Sequence, residues 1–140
     1  MVRIAHFRGF DRFYAIPESA PTAETGEWRE GPGTKLFEAA SRELGDVKII
    51  AEDLGVMDDG VIALRDKTGF PGMKIMMFAF DGNKDNDYLP QNICENSVTY
   101  TGTHDNDTAL GFIMEMSEER FVSFRKMLRA ALKYDGILYT

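Results

Sequence analysis

Val47-Lys48-Ile49-Ile50-Ala51-Glu52-Asp53 is the stretch whose reading decides the fold. Its apolar residues follow one another with little alternation. That pattern suits a strand covered on both faces, as in a parallel sheet, better than one with a solvated face. Two acidic residues follow immediately, where such a strand would end. Three further segments read as strands: VRIA (2–5), MKIMMFAF (73–80) and SVTYTG (97–102).

Helical patterns lie between and after them. GTKLFEAASRELGD (33–46) places Leu36, Phe37, Ala40 and Leu44 on one face, with Thr34 as N-cap and Gly45 as the stop. Residues 58–69 follow the same plan, with Asp58 as cap, Val61 and Leu64 on one stripe beside Ile62, and Gly69 at the end. Residues 117–135 open with Ser117 and two glutamates, carry Phe121, Phe124, Leu128 and Leu132 on one face, and meet Gly136. The expected order is β, α, β, α, β, loop, β, α. Such alternation predicts an α/β fold of parallel βα units with right-handed crossovers. Residues 15–33 and 81–96 read as long loops, the kind that usually carry function. No repeat or internal boundary interrupts the chain, so residues 1–140 are expected to form one domain.

Composition narrows the function. The chain has 140 residues, 44% of them hydrophobic, and a formal charge of −7. A core of useful size is possible at this length. The acidic balance and the lack of a Lys/Arg run disfavour nucleic acid or an anionic membrane surface as partner. No apolar stretch approaches the ~20 residues needed to span a bilayer, and no leader-like segment is evident, so the expected location is cytoplasmic. Cys94 is the only cysteine, which fits a reducing compartment. The sequon Asn106-Asp107-Thr108 would matter only in a secreted protein.

The residues able to do chemistry follow the strands: Ala5-His6, Glu52-Asp53, and Thr103 to Asp107. In a parallel array the C-terminal strand ends share one rim, so these positions are expected to converge. Carboxyl groups gathered on one rim suit acid/base work at an acetal carbon, with one group protonated and another ionised opposite an oxocarbenium-like transition state. Glycosyl chemistry is the expectation. The plain alternatives are that Glu52-Asp53 merely cap the next helix and that His104 is a structural hydrogen-bonding residue. His104, Asp105 and Asp107 crowd one short loop, a poor arrangement for a metal site, and no metal or other cofactor is expected. Asp81, Asn83 and Asp85 begin like a calcium loop, but Asn86 and Asn92 occupy the places of the turn glycine and the bidentate glutamate. There is no glycine-rich phosphate loop and no nucleophile elbow, and Cys94 has no histidine nearby in sequence to activate it. Trp28 sits in a long loop, where stacking on a sugar ring competes with ordinary packing.

Five blocks in order, VRIAHFRGF (2–10), GEWREGPG (26–33), IIAEDLG (49–55), GFPGMKIMMFAF (69–80) and YTGTHDNDT (100–108), resemble the amylomaltase or disproportionating-enzyme family of 4-α-glucanotransferases, glycoside hydrolase family 77. The resemblance implies about half of a (β/α)8 TIM barrel, family strands four to seven. It also implies retaining transfer of α-1,4-glucan between maltodextrins, in the metabolism of starch or glycogen. By motif, Glu52 would be the general acid/base and Asp105 the carboxylate that grips the distorted donor sugar. His104 would hydrogen-bond that sugar, and Arg3 would stand beside the nucleophile and keep it ionised.

Ala5 occupies the place where the family has its nucleophilic aspartate. A methyl group cannot attack an anomeric carbon, so the resemblance implies a chain that is inactive as it stands. The competing expectation is a non-catalytic carbohydrate-binding or regulatory pseudoenzyme that keeps His104, Asp105 and Trp28 for sugar contact. A full barrel takes about 250 residues. The expected partners are therefore an α-1,4-glucan or maltooligosaccharide and, to cover open sheet edges, a second copy or the missing barrel half.

Overall fold

The structure is a computed structural model that describes residues 1–132. Its contacts group into two compact units, Met1–Met73 and Lys74 onward. Among the described residues no helix is long and apolar enough to cross a membrane.

In the first unit, β1 (Val2–Ile4) pairs in parallel with β4 (Ile49–Ala51), matching Val2 to Ile49, Arg3 to Ile50 and Ile4 to Ala51. Ile50 and Ala51 are buried, as the nearly continuous apolar run predicts. The Ala51 amide donates to the Pro71 carbonyl at 2.9 Å, which ties β4 to the approach of β5 (Gly72–Ile75). Two helices cover this layer, α1 (Thr34–Leu44) and α2 (Asp59–Thr68). The core gathers Phe7, Phe37, Ala51, Val61 and Leu64, with Phe10 and Phe70 packed against it. The Phe7 and Phe37 rings stack at 5.7 Å, and Phe70 meets Phe37 edge-on at 5.1 Å.

Helix α2 begins and ends as its sequence predicts. The Asp58 carboxylate accepts the amides of Gly60 and Val61, and Gly69 takes a left-handed φ of 69° to receive the closing turn. Helix α1 differs in two respects. Thr34 is its first helical residue rather than its cap, and Gly33 takes the cap position at φ 58° with no side-chain bond. Of its predicted face only Phe37 is buried, while Leu36 and Leu44 are exposed.

The segment 15–33, expected as a long loop, holds β3 (Glu27–Glu30), which pairs antiparallel with β2 (Arg12–Ala15) just before it, so that Tyr14 faces Trp28. The hairpin escaped detection because neither strand alternates cleanly and 11 residues separate them. Among the described residues the strands thus form three two-stranded pairs, of which β1–β4 is parallel and β2–β3 antiparallel, rather than one uninterrupted sheet.

β5, whose last two residues open the second unit, pairs with β6 (Ser97–Tyr100). The run read as a strand through residue 80 stops at Ile75 and continues as a 3-10 turn, Met76–Phe78, since periodicity alone cannot bound a short apolar run. The loop at 81–96 is held by its own side chains. Asp81 accepts the Asn83 amide, Asn83 that of Asp85, and Asn86 that of Tyr88. The Asn92 side-chain amide donates to the carbonyls of Lys84 and Asn86, both at 2.9 Å. A short helix absent from the expected order, α3 (Ala109–Met114), is capped by Thr108, whose hydroxyl accepts the Gly111 amide. Helix α4 (Glu118–Leu132) opens as expected, with Ser117 Oγ accepting the Arg120 amide at 3.3 Å. Its Phe124 meets Phe80 edge-on at 4.6 Å. The predicted stop at Gly136 lies outside the described residues.

Candidate active site

Because β1 and β4 run in parallel, their C-terminal ends emerge together, and the turn after β1 lies beside the residue after β4. Glu52 is fixed there through both backbone groups: its amide donates to the Ile4 carbonyl at 3.0 Å, and its carbonyl accepts the Phe7 amide at 3.1 Å. Its carboxylate reaches the same turn. Oε1 accepts the His6 amide at 3.3 Å, and Oε2 lies 3.6 Å from Arg3 Nε. Ala5, whose place the resemblance gives to the nucleophile, is exposed between these contacts.

His6 carries the turn at φ 52° and ψ 48°, a left-handed conformation that no other non-glycine residue adopts among those described. Such a conformation in a residue with a side chain costs free energy and persists where surrounding contacts enforce it. Here the hydrogen bond that the His6 amide donates to Glu52 and the anchoring of fully buried Phe7 do so. Three of the predicted site residues, Arg3, Ala5 and Glu52, are thereby brought together.

Asp53 does something else. It is buried, accepts the Met73 amide at 2.6 Å and pairs with Arg65 at 2.8 Å. Neither it nor Glu52 caps α2, a task that falls to Asp58.

Trp28 lies on β3 rather than in a loop and remains 56% exposed, its ring 5.4 Å from that of Tyr14. Arg8 escaped the sequence reading. Its Nη1 donates to the Val56 carbonyl at 2.6 Å, its Nη2 to Asp58 at 2.7 Å, and its guanidinium lies 5.2 Å from the centre of the Trp28 ring. The Val61 amide, followed by Arg8, holds the Asp58 carboxyl below the usual carboxylate range. Only the arginine in the HFRGF block signalled this role, and nothing local in sequence pairs it with residues 56–58.

In the second unit, His104 and Asp105 follow β6 on an exposed loop, with His104 Nε2 3.2 Å from Asp105 Oδ1. The loop is shaped by Asn106, whose side-chain oxygen accepts from the amide and hydroxyl of Thr103. Thr103 Oγ1 in turn accepts the Asp105 amide at 3.3 Å.

The architecture is mixed α/β with parallel strand pairing and sets a carboxylate after β4 beside an arginine of β1, an arrangement typical of the class of folds that build their sites at the ends of parallel strands. The chain belongs to the 4-alpha-glucanotransferase family, glycoside hydrolase family 77, whose profile matches residues 1–137. It is 56% identical over 112 residues to a 4-alpha-glucanotransferase of Streptococcus pneumoniae, covering 80% of this chain and 22% of that protein. To the enzyme of that name from Thermus thermophilus it is 52% identical, covering 80% and 23%. To a chloroplast or amyloplast 4-alpha-glucanotransferase of Arabidopsis thaliana it is 48% identical, covering 92% and 22%. An amylomaltase from Streptococcus agalactiae, solved in complex with acarbose, superposes with a TM-score of 0.81 at 40% identity, covering 91% of this chain and 26% of that one. The chain thus spans about a fifth of the length of the relatives it matches.

Proposed function

We propose that residues 1–140 are a single catalytic-barrel segment, family strands four to seven, of a 4-α-glucanotransferase acting on maltodextrins, and that Ala5 silences its chemistry. The observation that carries this reading is the Glu52 carboxylate held between Arg3 and the His6 amide, around the exposed methyl of Ala5. A carboxyl group so fixed suits a general acid/base. It would give its proton to the glycosidic oxygen as the C1–O bond breaks and later take one from the acceptor hydroxyl.

In the retaining route a second carboxylate forms the covalent bond to C1 from the opposite face. Ala5 stands at that position, so the first displacement has no nucleophile. Asp105, with His104 beside it, would hold the distorted donor sugar and face the developing positive charge. Trp28 would offer its exposed ring to a sugar of the glucan. Neither acid/base step calls for a metal or another cofactor. A maltooligosaccharide is the proposed ligand, a reducing cytoplasm the proposed location, and the remaining barrel or a second copy the proposed cover for the open strand edges.

The test completes the barrel with the matching strands of a family relative and introduces Ala5→Asp. Disproportionation of maltotriose, read as release of glucose and longer maltodextrins, is the expected result. A folded Ala5→Asp barrel that binds maltodextrin and transfers nothing would defeat the catalytic reading. Ala5 itself favours a second reading, a carbohydrate-binding pseudoenzyme, and that outcome would support it.

A further inference from the structure

Among the described residues Asp53 is the one charged residue that is buried, and neither the acid/base steps nor the cap of α2 gives it work. Taking a carboxylate out of water is costly, and a buried ion pair is weak evidence of stability. The contacts of Asp53 indicate a different task.

The chain turns sharply where β4 ends. The Asp53 amide donates to the Ala51 carbonyl at 3.0 Å and closes a three-residue turn with Glu52 at its centre. The direction in which the Glu52 side chain leaves the backbone is therefore set by whatever holds the two flanks of that turn. On the near flank Ala51 lies in the strand, paired with Ile4 and with its amide on the Pro71 carbonyl at 2.9 Å. On the far flank the anchor is a side chain. Asp53 Oδ1 accepts the Met73 amide at 2.6 Å and Oδ2 accepts from Arg65 Nη1 at 2.8 Å, so one carboxylate ties the turn to β5 and to α2.

The anchor is stiff. Arg65 is itself held on its own helix, where Nε and Nη2 donate to Asp66 Oδ1 at 3.2 and 3.0 Å, which leaves Nη1 for Asp53. Gly72 packs against the same carboxylate so closely that a Cβ there would collide with it. Short charge-assisted bonds to two different elements leave the Asp53 side chain little room to swing. The contacts of the Glu52 carboxylate are longer, 3.3 Å to the His6 amide and 3.6 Å to Arg3 Nε. The loosely held group takes its place from the firmly held one.

We propose that Asp53, braced by Arg65, is the positioning residue for Glu52 and sets the turn from which the Glu52 carboxylate reaches the glycosidic oxygen. The catalytic consequence rests on the acid/base reading of Glu52, whereas the control of that carboxylate by Asp53 does not.

The kinetic test uses the completed barrel carrying Ala5→Asp, with Asp53→Asn and Arg65→Met as variants and Arg65→Lys as the conservative one. Asp53→Asn keeps a side-chain oxygen for the Met73 amide and removes the charge that holds Arg65. Two donors isolate proton donation. Maltotriose needs a proton on its leaving oxygen, whereas α-glucosyl fluoride does not, and its fluoride departs in the first turnover before any base is required. Asp53→Asn and Arg65→Met should lower kcat with maltotriose by about 10²-fold at unchanged KM, the scale of an ångström-sized misplacement of a reacting group. First-turnover fluoride release should stay nearly intact, and Arg65→Lys should recover part of the maltotriose rate. A fold that was merely weakened would lose both donors alike.

A second readout needs no turnover. In the completed barrel with Ala5 unchanged and histidine isotopically labelled, the His6 amide resonance should follow the ionisation of Glu52 as pH is varied, because Oε1 is its acceptor, and Glu52→Gln should remove that response. Asp53→Asn should remove it too. Equal losses with both donors, an unchanged maltotriose rate in both Asp53→Asn and Arg65→Met, or a His6 response that survives Asp53→Asn would each overturn the proposal. The two readings fail separately. If the Ala5→Asp barrel transfers nothing, the His6 response still decides the case for Asp53. An active barrel whose His6 amide ignores Asp53→Asn removes the positioning role and leaves Glu52 catalytic.

Discussion

Glu52 Oε2 lies 3.6 Å from Arg3 Nε, so the arginine expected to serve a nucleophile at position 5 is instead engaged with the proposed acid/base. With alanine at position 5 there is no competing carboxylate for it. In the completed barrel, Ala5→Asp should draw Arg3 partly onto the new carboxylate. Arg3→Met in that background should then lower kcat by about 10²- to 10³-fold, the usual scale for losing one fixed electrostatic contact in a catalytic site. Steady-state kinetics with maltotriose check this, and an unchanged kcat would free Arg3 of any role.

The cap of α2 sets an acid limb on stability. The Asp58 carboxyl is held below the ordinary aspartate value of 3.8 by the Val61 amide and then by Arg8, so its folded pKa lies below its unfolded one. On the acid side the unfolded chain therefore binds more protons at this site, and the stabilisation is complete above about pH 4. It is lost as pH falls through the lower, folded value. Melts followed by circular dichroism from pH 5 to pH 2.5 should show a decline that is shallower in Asp58→Asn. Parallel curves for the two proteins would mean that Asp58 is not the group responsible.

The β1–β4 pairing was legible because an unbroken apolar run in a short segment has few other uses, and α2 was legible because Asp58 and Gly69 are local signals for its two ends. The nearness of Glu52 to the turn at Ala5 and His6 was legible for a topological reason: parallel strands put their following residues together whatever their separation in sequence. What escaped detection depends on partners distant in the chain. Arg8 meets Asp58 across 50 positions, and the hairpin depends on Tyr14 finding Trp28. In sequence Asp53 is equivalent to Glu52, one of two acidic residues that follow β4. Successive residues at a strand end point to opposite sides, and only one of the two emerges at the turn while the other is drawn inward to Arg65 and Met73.

That inward position makes Asp53 costly to change. It is buried, and its removal leaves the Met73 amide without its acceptor and Arg65 with Asp66 as its remaining carboxylate, so Asp53→Ala should destabilise the chain by about 1–3 kcal/mol. Gly72 offers a second approach to the same spot, since a Cβ there would run into the Asp53 carboxylate. Gly72→Ala should therefore destabilise in the same direction, and in urea unfolding its effect should be less than additive with that of Asp53→Ala. Full additivity would mean that the two positions do not share a contact.

Association is the expectation that follows from an unfinished sheet. Val2 is 50% exposed on β1, and such a strand presents unpaired backbone groups and apolar side chains unless something covers them. Light scattering of the isolated chain at several concentrations should show self-association that disappears when the remaining barrel strands are supplied. A strictly monomeric species with a sharp reversible melt would rule this out.

The most discriminating chemistry lies in the space where a carboxylate would stand. In the completed barrel with Ala5 unchanged, a small anion such as azide or formate should enter beside the anomeric carbon and attack an activated α-glucosyl donor. The anion forms the new bond to C1 from the face opposite the leaving group, the bond to that group breaks, and the product is inverted. Fluoride departs without a proton, whereas a poor leaving group needs one, which Glu52 would supply. Glu52→Gln should therefore abolish rescue with a poor leaving group and leave rescue with α-glucosyl fluoride nearly intact, a split no general loss of folding could produce. The anomeric configuration of the glucosyl azide, read by proton NMR, identifies the face of attack. A retained product would place the attacking anion on the wrong side of the sugar and remove Ala5 from the nucleophile position.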